Sequence, residues 1–274
     1  MGMGVLKFTV VICTKDRRAD LLRCLESLAL ELGSADDWDV LVVDNASSDD
    51  TSSAALEAAA TYPVPLRVIR EERLGLSIAR NTGLREATGE IAIFVDDDIT
   101  FLEGWAAAME APFADQEVTA VGGPIHPVFP EGVPTWYREG VMADGGTTTG
   151  YYEHGEVLRE FRPRGEIGHP RGGNMAIRRV RALKIGGFRE DLGWGKRKIP
   201  GEETEFFGRL SRDGGTIHYV PGARVHHHLD LERTSLKHLR RWHQGYGRAS
   251  ILMNPPKDPV RWVLKFVEQV VNLI

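Results

Sequence analysis

The stretch IAIFVDDDITF, residues 91–101, runs five apolar residues straight into three consecutive aspartates. An unbroken apolar run of this length suits a strand buried on both faces of a parallel sheet, and the charges mark its end. The same texture recurs upstream in FTVVIC (8–13), WDVLVVD (38–44) and LRVIR (66–70). Between these runs, ADLLRCLESLALEL (19–32), DDTSSAALEAAATY (49–62) and SIARNTGLREAT (77–88) carry helical spacing. The second follows Ser47, Ser48 and Asp49, which are candidate N-caps. Strand alternating with helix predicts a three-layer α/β/α domain with a mostly parallel, Rossmann-like sheet and right-handed crossovers. Ligands of such a sheet bind beyond the carboxyl ends of its strands.

Bulk properties narrow the function classes. The chain has 274 residues, 42% of them hydrophobic and 27% charged, as in an ordinary globular protein. A net charge of −5 gives no electrostatic basis for nucleic-acid binding. Two cysteines, Cys13 and Cys24, argue against a disulfide framework and against a cysteine-built zinc site. MGMGVLKFTVVIC reads as a first strand and not as a signal peptide. No run reaches the roughly 18 apolar residues of a membrane span. The expected location is the cytoplasm, with peripheral contact at the inner face of the membrane as an option. No GxGxxG follows the first strand and no GxxxxGK[ST] occurs, which argues against dinucleotide and P-loop chemistry.

Along an extended strand alternate side chains share a face, so Asp96 and Asp98 are expected together and Asp97 opposite. Two carboxylates in a partly desolvated crevice repel each other, and a hard cation such as Mg²⁺ or Mn²⁺ relieves that conflict. A solvated acidic turn is the plainer alternative. The neighbouring strand ends, Thr14-Lys15-Asp16-Arg17 and Asp44-Asn45-Ala46-Ser47, bring further polar groups to the same edge and favour a metal.

The series TVVICTKDR, VLVVDNASSDDT, GLSIARNTGLREATGEIAIFVDDD, GGNMAIRR, GEETEFFGRL and VHHH, in this order over residues 8 to 228, resembles the family 2 glycosyltransferases. Those are inverting enzymes of the GT-A fold. The resemblance implies a metal-dependent transfer of a sugar from a nucleotide-sugar donor to a hydroxyl of a saccharide, a lipid-linked sugar or a secondary metabolite. It places Thr14, Asp16 and Arg17 around the base and ribose, and Asp44 at a base edge, which favours a UDP-sugar. Asn45 and Ser47 read equally as helix-entry residues. Arg80, Asn81, Asp96 and Asp97 are placed on the nucleotide side, and Asp98, with Asp96, on Mn²⁺ or Mg²⁺. His227 completes the metal site, with His226 and His228 as alternatives.

Inversion needs a base for the acceptor hydroxyl. The resemblance assigns that role to Glu203, with Glu202 as runner-up, and gives Glu205 to acceptor binding or loop order. A glutamate stands where the family commonly has aspartate. Gly172, Gly173 and Asn174 are placed beside the donor sugar and acceptor, and Trp194 is either a sugar platform or core. Residues 1–125 form the expected nucleotide-sugar half and 126–230 the acceptor and catalytic half of the same domain. Within the latter, 126–172 reads as a long ordered loop or lid. Residues 231–274 form an amphipathic tail that packs on the domain, contacts a second subunit or touches a membrane. Two rivals stand beside this reading. A sugar nucleotidyltransferase would show a glycine-rich phosphate loop, which TKDRRADLL lacks, and a cation-dependent carbohydrate-binding protein would need DDD but not Glu203.

Overall fold

A computed structural model describes residues 7–143, 149–161, 168–195 and 198–253, together with 258, 260 and 263. Four parallel strands, β1 (Phe8–Thr14), β2 (Trp38–Asp44), β3 (Leu66–Arg70) and β4 (Ile91–Asp96), alternate with α1 (Arg18–Leu32), α2 (Thr51–Ala59) and α3 (Leu76–Glu86). The chain continues through β5 (Ile99–Phe101), α4 (Trp105–Glu110), β6 (Val118–Gly122), β7 (Ile125–Val128), α5 (Thr135–Ala143) and β8 (Arg159–Glu160). It ends in β9 (Asn174–Arg178), α6 (Arg179–Lys184), α7 (Glu202–Arg212), β10 (Thr216–Tyr219), β11 (Val225–His228) and α8 (Leu236–Met253).

The main sheet has the order β3-β2-β1-β4-β9-β6-β10-β8. Strands β1 to β4, β6 and β10 run one way, and β9 and β8 run the other. Alternation along each strand divides the core into two layers. Val10, Ile12, Val40, Val42, Ile91 and Ile93 face one side, with Leu21, Leu25 and Leu28 of α1 and Trp105 of α4. Val11, Leu41, Val43, Ala92 and Phe94 face the other, with Leu84 of α3 and Phe206, Phe207 and Leu210 of α7. Each buried Leu or Phe contributes about 1.5–3 kcal/mol, and both strand faces need apolar residues to gain it.

A second sheet, β5-β11-β7, lies beside the carboxyl end of β4. It ties the aspartate turn to the last strand, because the His228 amide donates to the Asp98 carbonyl at 2.8 Å.

The structure differs from the sequence expectation at the entry to α2. No side chain of Ser47 or Ser48 caps that helix. The Ser47 hydroxyl accepts from the Asp16 amide (2.9 Å) and Ser48 donates to the Asp16 carboxylate, so both serines serve the β1 loop. Asp49 accepts from the Thr51 amide at 3.0 Å. Both cysteines are free thiols. Of the expected loop 126–172, residues 144–148 and 162–167 lie outside the described residues, as does most of VRWVLKFVEQVVNLI (260–274). Among the described residues no helix is long and apolar enough to cross a membrane.

Candidate active site

A cavity of about 520 Å³ opens at the carboxyl ends of β1, β2 and β4. Its first wall is the aspartate triplet. β4 ends at Asp96, and Asp97 and Asp98 form a turn before β5, so strand alternation no longer applies beyond Asp96. All three aspartates line the cavity, which corrects the expectation that Asp97 faces away. Asp97 accepts from the Thr14 hydroxyl at 2.7 Å and forms an ion pair with Arg17, whose Nε lies 2.9 Å away. Burial pushes its carboxyl up to about 7, against the pull of Arg17.

Asp98 is 1% exposed, and its Oδ2 accepts from Arg17 Nη2 (2.9 Å) and Arg233 Nη2 (3.0 Å). Burial opposes its ionisation, yet cationic neighbours, among them the Arg233 and Arg17 guanidiniums, hold the carboxyl well below the usual range. Its other oxygen, Oδ1, is buried without a hydrogen-bond partner and lies 3.2 Å from His227 Nε2.

Period-two alternation along β11 separates the three histidines. His227 alone of them lines the cavity, while His228 Nε2 meets the Thr100 hydroxyl at 2.9 Å and the His226 ring lies 6.4 Å from that of His126. The His227 Nδ1–H donates to the Thr149 carbonyl at 2.6 Å, and the Nε2 lone pair of the neutral ring accepts from Arg233 Nη1 at 2.9 Å, beside Asp98 Oδ1. A carbonyl holding the far nitrogen is the usual support of a ligating imidazole. Adjacent donors of a hard octahedral cation at about 2.1 Å are separated by about 3.0 Å, so the Asp98–His227 pair fits such an ion. Among the described residues no group of three or more His, Cys, Asp and Glu forms a metal cluster. The remaining ligands would therefore come from substrate oxygens or water.

The second wall is the first turn of α7, entered through Gly201 at φ 112°. Arg80 of α3, 2% exposed, reaches across from the opposite element. Its Nη1 donates to Glu202 Oε1 (3.0 Å) and Glu203 Oε1 (3.2 Å), and its Nη2 lies 3.6 Å from Asp96. Burial and the neighbouring Glu203 push Glu202 up to about 8, with Arg80 opposing. Burial would raise Glu203 as well, but Arg80, helped by the backbone, His169 and Arg171, brings it below the ordinary range. Near neutral pH the pair thus consists of a protonated Glu202 and an ionised Glu203. Gly172 and Gly173 make this packing possible. A Cβ at Gly172 would stand 2.2 Å from both Arg80 Nη2 and Glu203 Oε1, and one at Gly173 would stand 2.8 Å from Asp96 Oδ2.

The third wall is aromatic. Trp194 lines the cavity and stacks on Trp242 (5.4 Å, 28°) and on His238 (6.2 Å, 20°), both carried by α8, and Tyr246 continues the face. The Trp242 indole N–H is buried without a partner. The sequence reading placed none of Arg233, His238, Trp242 and Tyr246 in the site. The signal was present: His238, Trp242 and Tyr246 follow an i, i+4, i+8 spacing that puts three aromatic rings on one helix face.

Five expected site residues do not line the cavity. Asp16, at φ 52°, is engaged by Lys15, Ser48 and Asp49. Asp44 is fully buried, with one oxygen on Arg70 Nη1 (2.7 Å) and the other on the Ser47 amide (3.1 Å), while its neighbour Asn45 does line the cavity. Asn45 also clamps the 71–75 loop through the Glu71 and Arg73 carbonyls and the Gly75 amide. Asn81 is consumed by the Phe188 backbone, donating to its carbonyl (2.8 Å) and accepting from its amide (2.7 Å). Asn174 bonds the Pro124 and Ala223 carbonyls and the Trp105 indole N–H. Glu205 forms an i, i+4 ion pair with Arg209, which in turn donates to the Ile185 and Gly187 carbonyls. Through Arg209 it is tied to the backbone that follows α6.

Comparison with known proteins matches residues 9–186 to the family described as Glycosyl transferase family 2. The succinoglycan biosynthesis protein ExoM of Rhizobium meliloti is 28% identical over 256 residues, which cover 92% of this chain and 77% of that one. Among solved structures, Staphylococcus aureus TarS in complex with UDP-GlcNAc superposes with a TM-score of 0.65 at 18% identity, over 93% of this chain and 69% of that one. The mannosyltransferase PcManGT of Pyrobaculum calidifontis in complex with GDP-Man and Mn²⁺ gives 0.61 at 18% identity, over 97% and 80%. The matched region spans between 26% and 80% of the length of such relatives. The fold is GT-A, as the sequence resemblance implied.

Proposed function

The chain belongs to glycosyl transferase family 2, and from that premise we propose a metal-dependent, inverting transfer of sugar from a UDP-sugar to a hydroxyl acceptor. One observation carries the reading: a carboxylate held ionised, Glu203, shares a cavity with a carboxylate–imidazole pair that fits a divalent cation. Inversion is a single displacement, so the base and the departing diphosphate must act on opposite sides of one anomeric carbon.

The donor base lies at Thr14, Lys15 and Asn45, with Asp44 buried behind Asn45. The diphosphate lies toward Asp98, His227, Arg17 and Arg233. Mn²⁺ or Mg²⁺ bound at Asp98 and His227 supplies Lewis-acid stabilisation of the charge on the leaving group. Glu203 accepts the proton of the acceptor hydroxyl, and Arg80 keeps it ionised beforehand. Glu202, protonated, adds no second negative charge beside the base. Trp194 and Trp242 offer flat apolar faces to an acceptor saccharide, with the unpartnered indole N–H available to one of its oxygens. The UDP assignment rests on the likeness to a structure that holds UDP-GlcNAc.

Replacing Glu203 by Gln keeps the shape and removes the base. Transfer is expected to fall by 10²–10⁴-fold, roughly the worth of general base catalysis, while Mn²⁺-dependent nucleotide binding persists. Undiminished transfer by Glu203→Gln removes the base assignment. Failure of every nucleotide sugar to raise the melting temperature with Mn²⁺ or Mg²⁺ present removes the whole reading.

A further inference from the structure

We propose that Arg233 is a built-in cation that holds the divalent-metal position between Asp98 and His227 until a diphosphate draws it away. Metal and nucleotide then bind cooperatively. The proposal rests on the reading of Asp98 and His227 as the metal pair.

One guanidinium touches both donors. Arg233 Nη2 donates to Asp98 Oδ2 at 3.0 Å, and its Nη1 donates to His227 Nε2 at 2.9 Å. The lone pair that Nε2 would give to a metal is the one this N–H caps, and an imidazole nitrogen has no second one. Arg233 and a divalent cation therefore exclude each other at His227, by that shared lone pair and by like charge.

Asp98 is held by two arginines, and they differ in freedom. Arg17 is also bound by Asp97 (2.9 Å) and Asp20 (2.8 Å), so it stays if Asp98 turns to a metal. Among the described residues Arg233 has only Asp230 as a further ion-pair partner, at 3.9 Å, and it sits in the short turn Glu232–Thr234 between β11 and α8. Its side chain is 28% exposed, against 2% for Asp98. Arg233 is thus the cation that can leave.

Leaving has a cost that depends on what else is in the cavity. Metal alone must take Asp98 and His227 from a guanidinium that gains little in exchange. With a diphosphate present, the displaced guanidinium finds anionic oxygens in the same cavity and can bind them in bidentate fashion. The metal's affinity therefore rises when the diphosphate is bound, and by linkage the diphosphate's affinity rises equally when the metal is bound.

The test is a titration of the full chain with Mn²⁺, reading free Mn²⁺ by electron paramagnetic resonance, with and without UDP. The wild type is expected to bind Mn²⁺ weakly alone and about tenfold or more tightly with UDP, within the usual range of coupling. Arg233→Gln is expected to bind Mn²⁺ alone about tenfold more tightly than the wild type, with little further gain from UDP. Arg233→Lys retains the charge but cannot cap both donors, so it falls between the two, and it serves if the Gln variant does not fold. Mn²⁺ affinity without UDP that is unchanged or weaker in the folded variants overturns the proposal. A wild type that binds no Mn²⁺ even with UDP overturns the metal-site reading and the proposal together, and that result is distinct because it needs no variant.

Discussion

The two sides of the cavity are built differently. The aspartate side stands on β1 and β4, whose register is set over six residue pairs and whose neighbours are buried on both faces of the sheet. The aromatic side arrives on the loop around Trp194 and on α8, a helix that leaves Leu236, Ile251 and Leu252 exposed. Under the proposed function, a rigid sheet edge suits the part of a substrate that is always the same, the diphosphate. A wall hung on a peripheral helix can change its shape for the variable part, the acceptor. The contrast is one of support: a strand end cannot move without disturbing two core layers, whereas α8 rests on the domain by one face.

Substitutions can break or sharpen this contrast. The largest effect is expected on the rigid side, where Asp98→Asn removes the metal donor and leaves Arg17 and Arg233 facing each other. Transfer should fall about 10³-fold or more, and nucleotide binding should lose its dependence on Mn²⁺, as measured by calorimetry. Retained metal dependence would move the site away from Asp98. Next comes Gly172→Ala, whose Cβ must displace Arg80 or Glu203. A loss of about 10²-fold in kcat with unchanged nucleotide affinity is expected, because only the base is misplaced. Trp242→Ala should raise the acceptor KM about tenfold, equivalent to about 1.4 kcal/mol, with donor hydrolysis untouched. An equal rise in donor KM would show that the two walls are not separate in function.

The last effect is on stability and not on transfer. Glu202 titrates at about 8 in the folded chain, above its unfolded value of about 4.3. The folded state therefore holds that proton more tightly, and wild-type stability falls as pH rises from about 4.3 through about 8. Glu202→Gln escapes the loss. Its melting temperature relative to wild type should climb through that window and level off above it; a flat difference would mean that Glu202 is ionised throughout.

Much of the architecture was legible before any coordinates. The bounds of β2, β3 and β4 match the runs WDVLVVD, LRVIR and IAIFVD residue for residue, because short runs rich in β-branched residues mark strands. The aspartates, His227 and Glu203 were singled out because each sits in a motif whose order along the chain carried the resemblance. Asp44, Asn81, Asn174 and Glu205 looked the same in sequence and went elsewhere. A short polar side chain at a loop entrance serves backbone groups as readily as ligands, and only the position of Phe188, Pro124 or Arg70 decides between them.

Local periodicity by itself determined the layers and the sheet edge, and the motif order carried the resemblance to the family. Tertiary structure alone decided which of two adjacent glutamates is ionised, which of three histidines faces Asp98, and that Arg233 and Trp242 belong to the site. Those outcomes depend on partners far apart in the chain, such as Arg80 and Glu202 at 122 residues' separation or Arg233 and Asp98 at 135. Ionisation follows the partners and the water that folding brings or removes, and neither is a property of the local sequence.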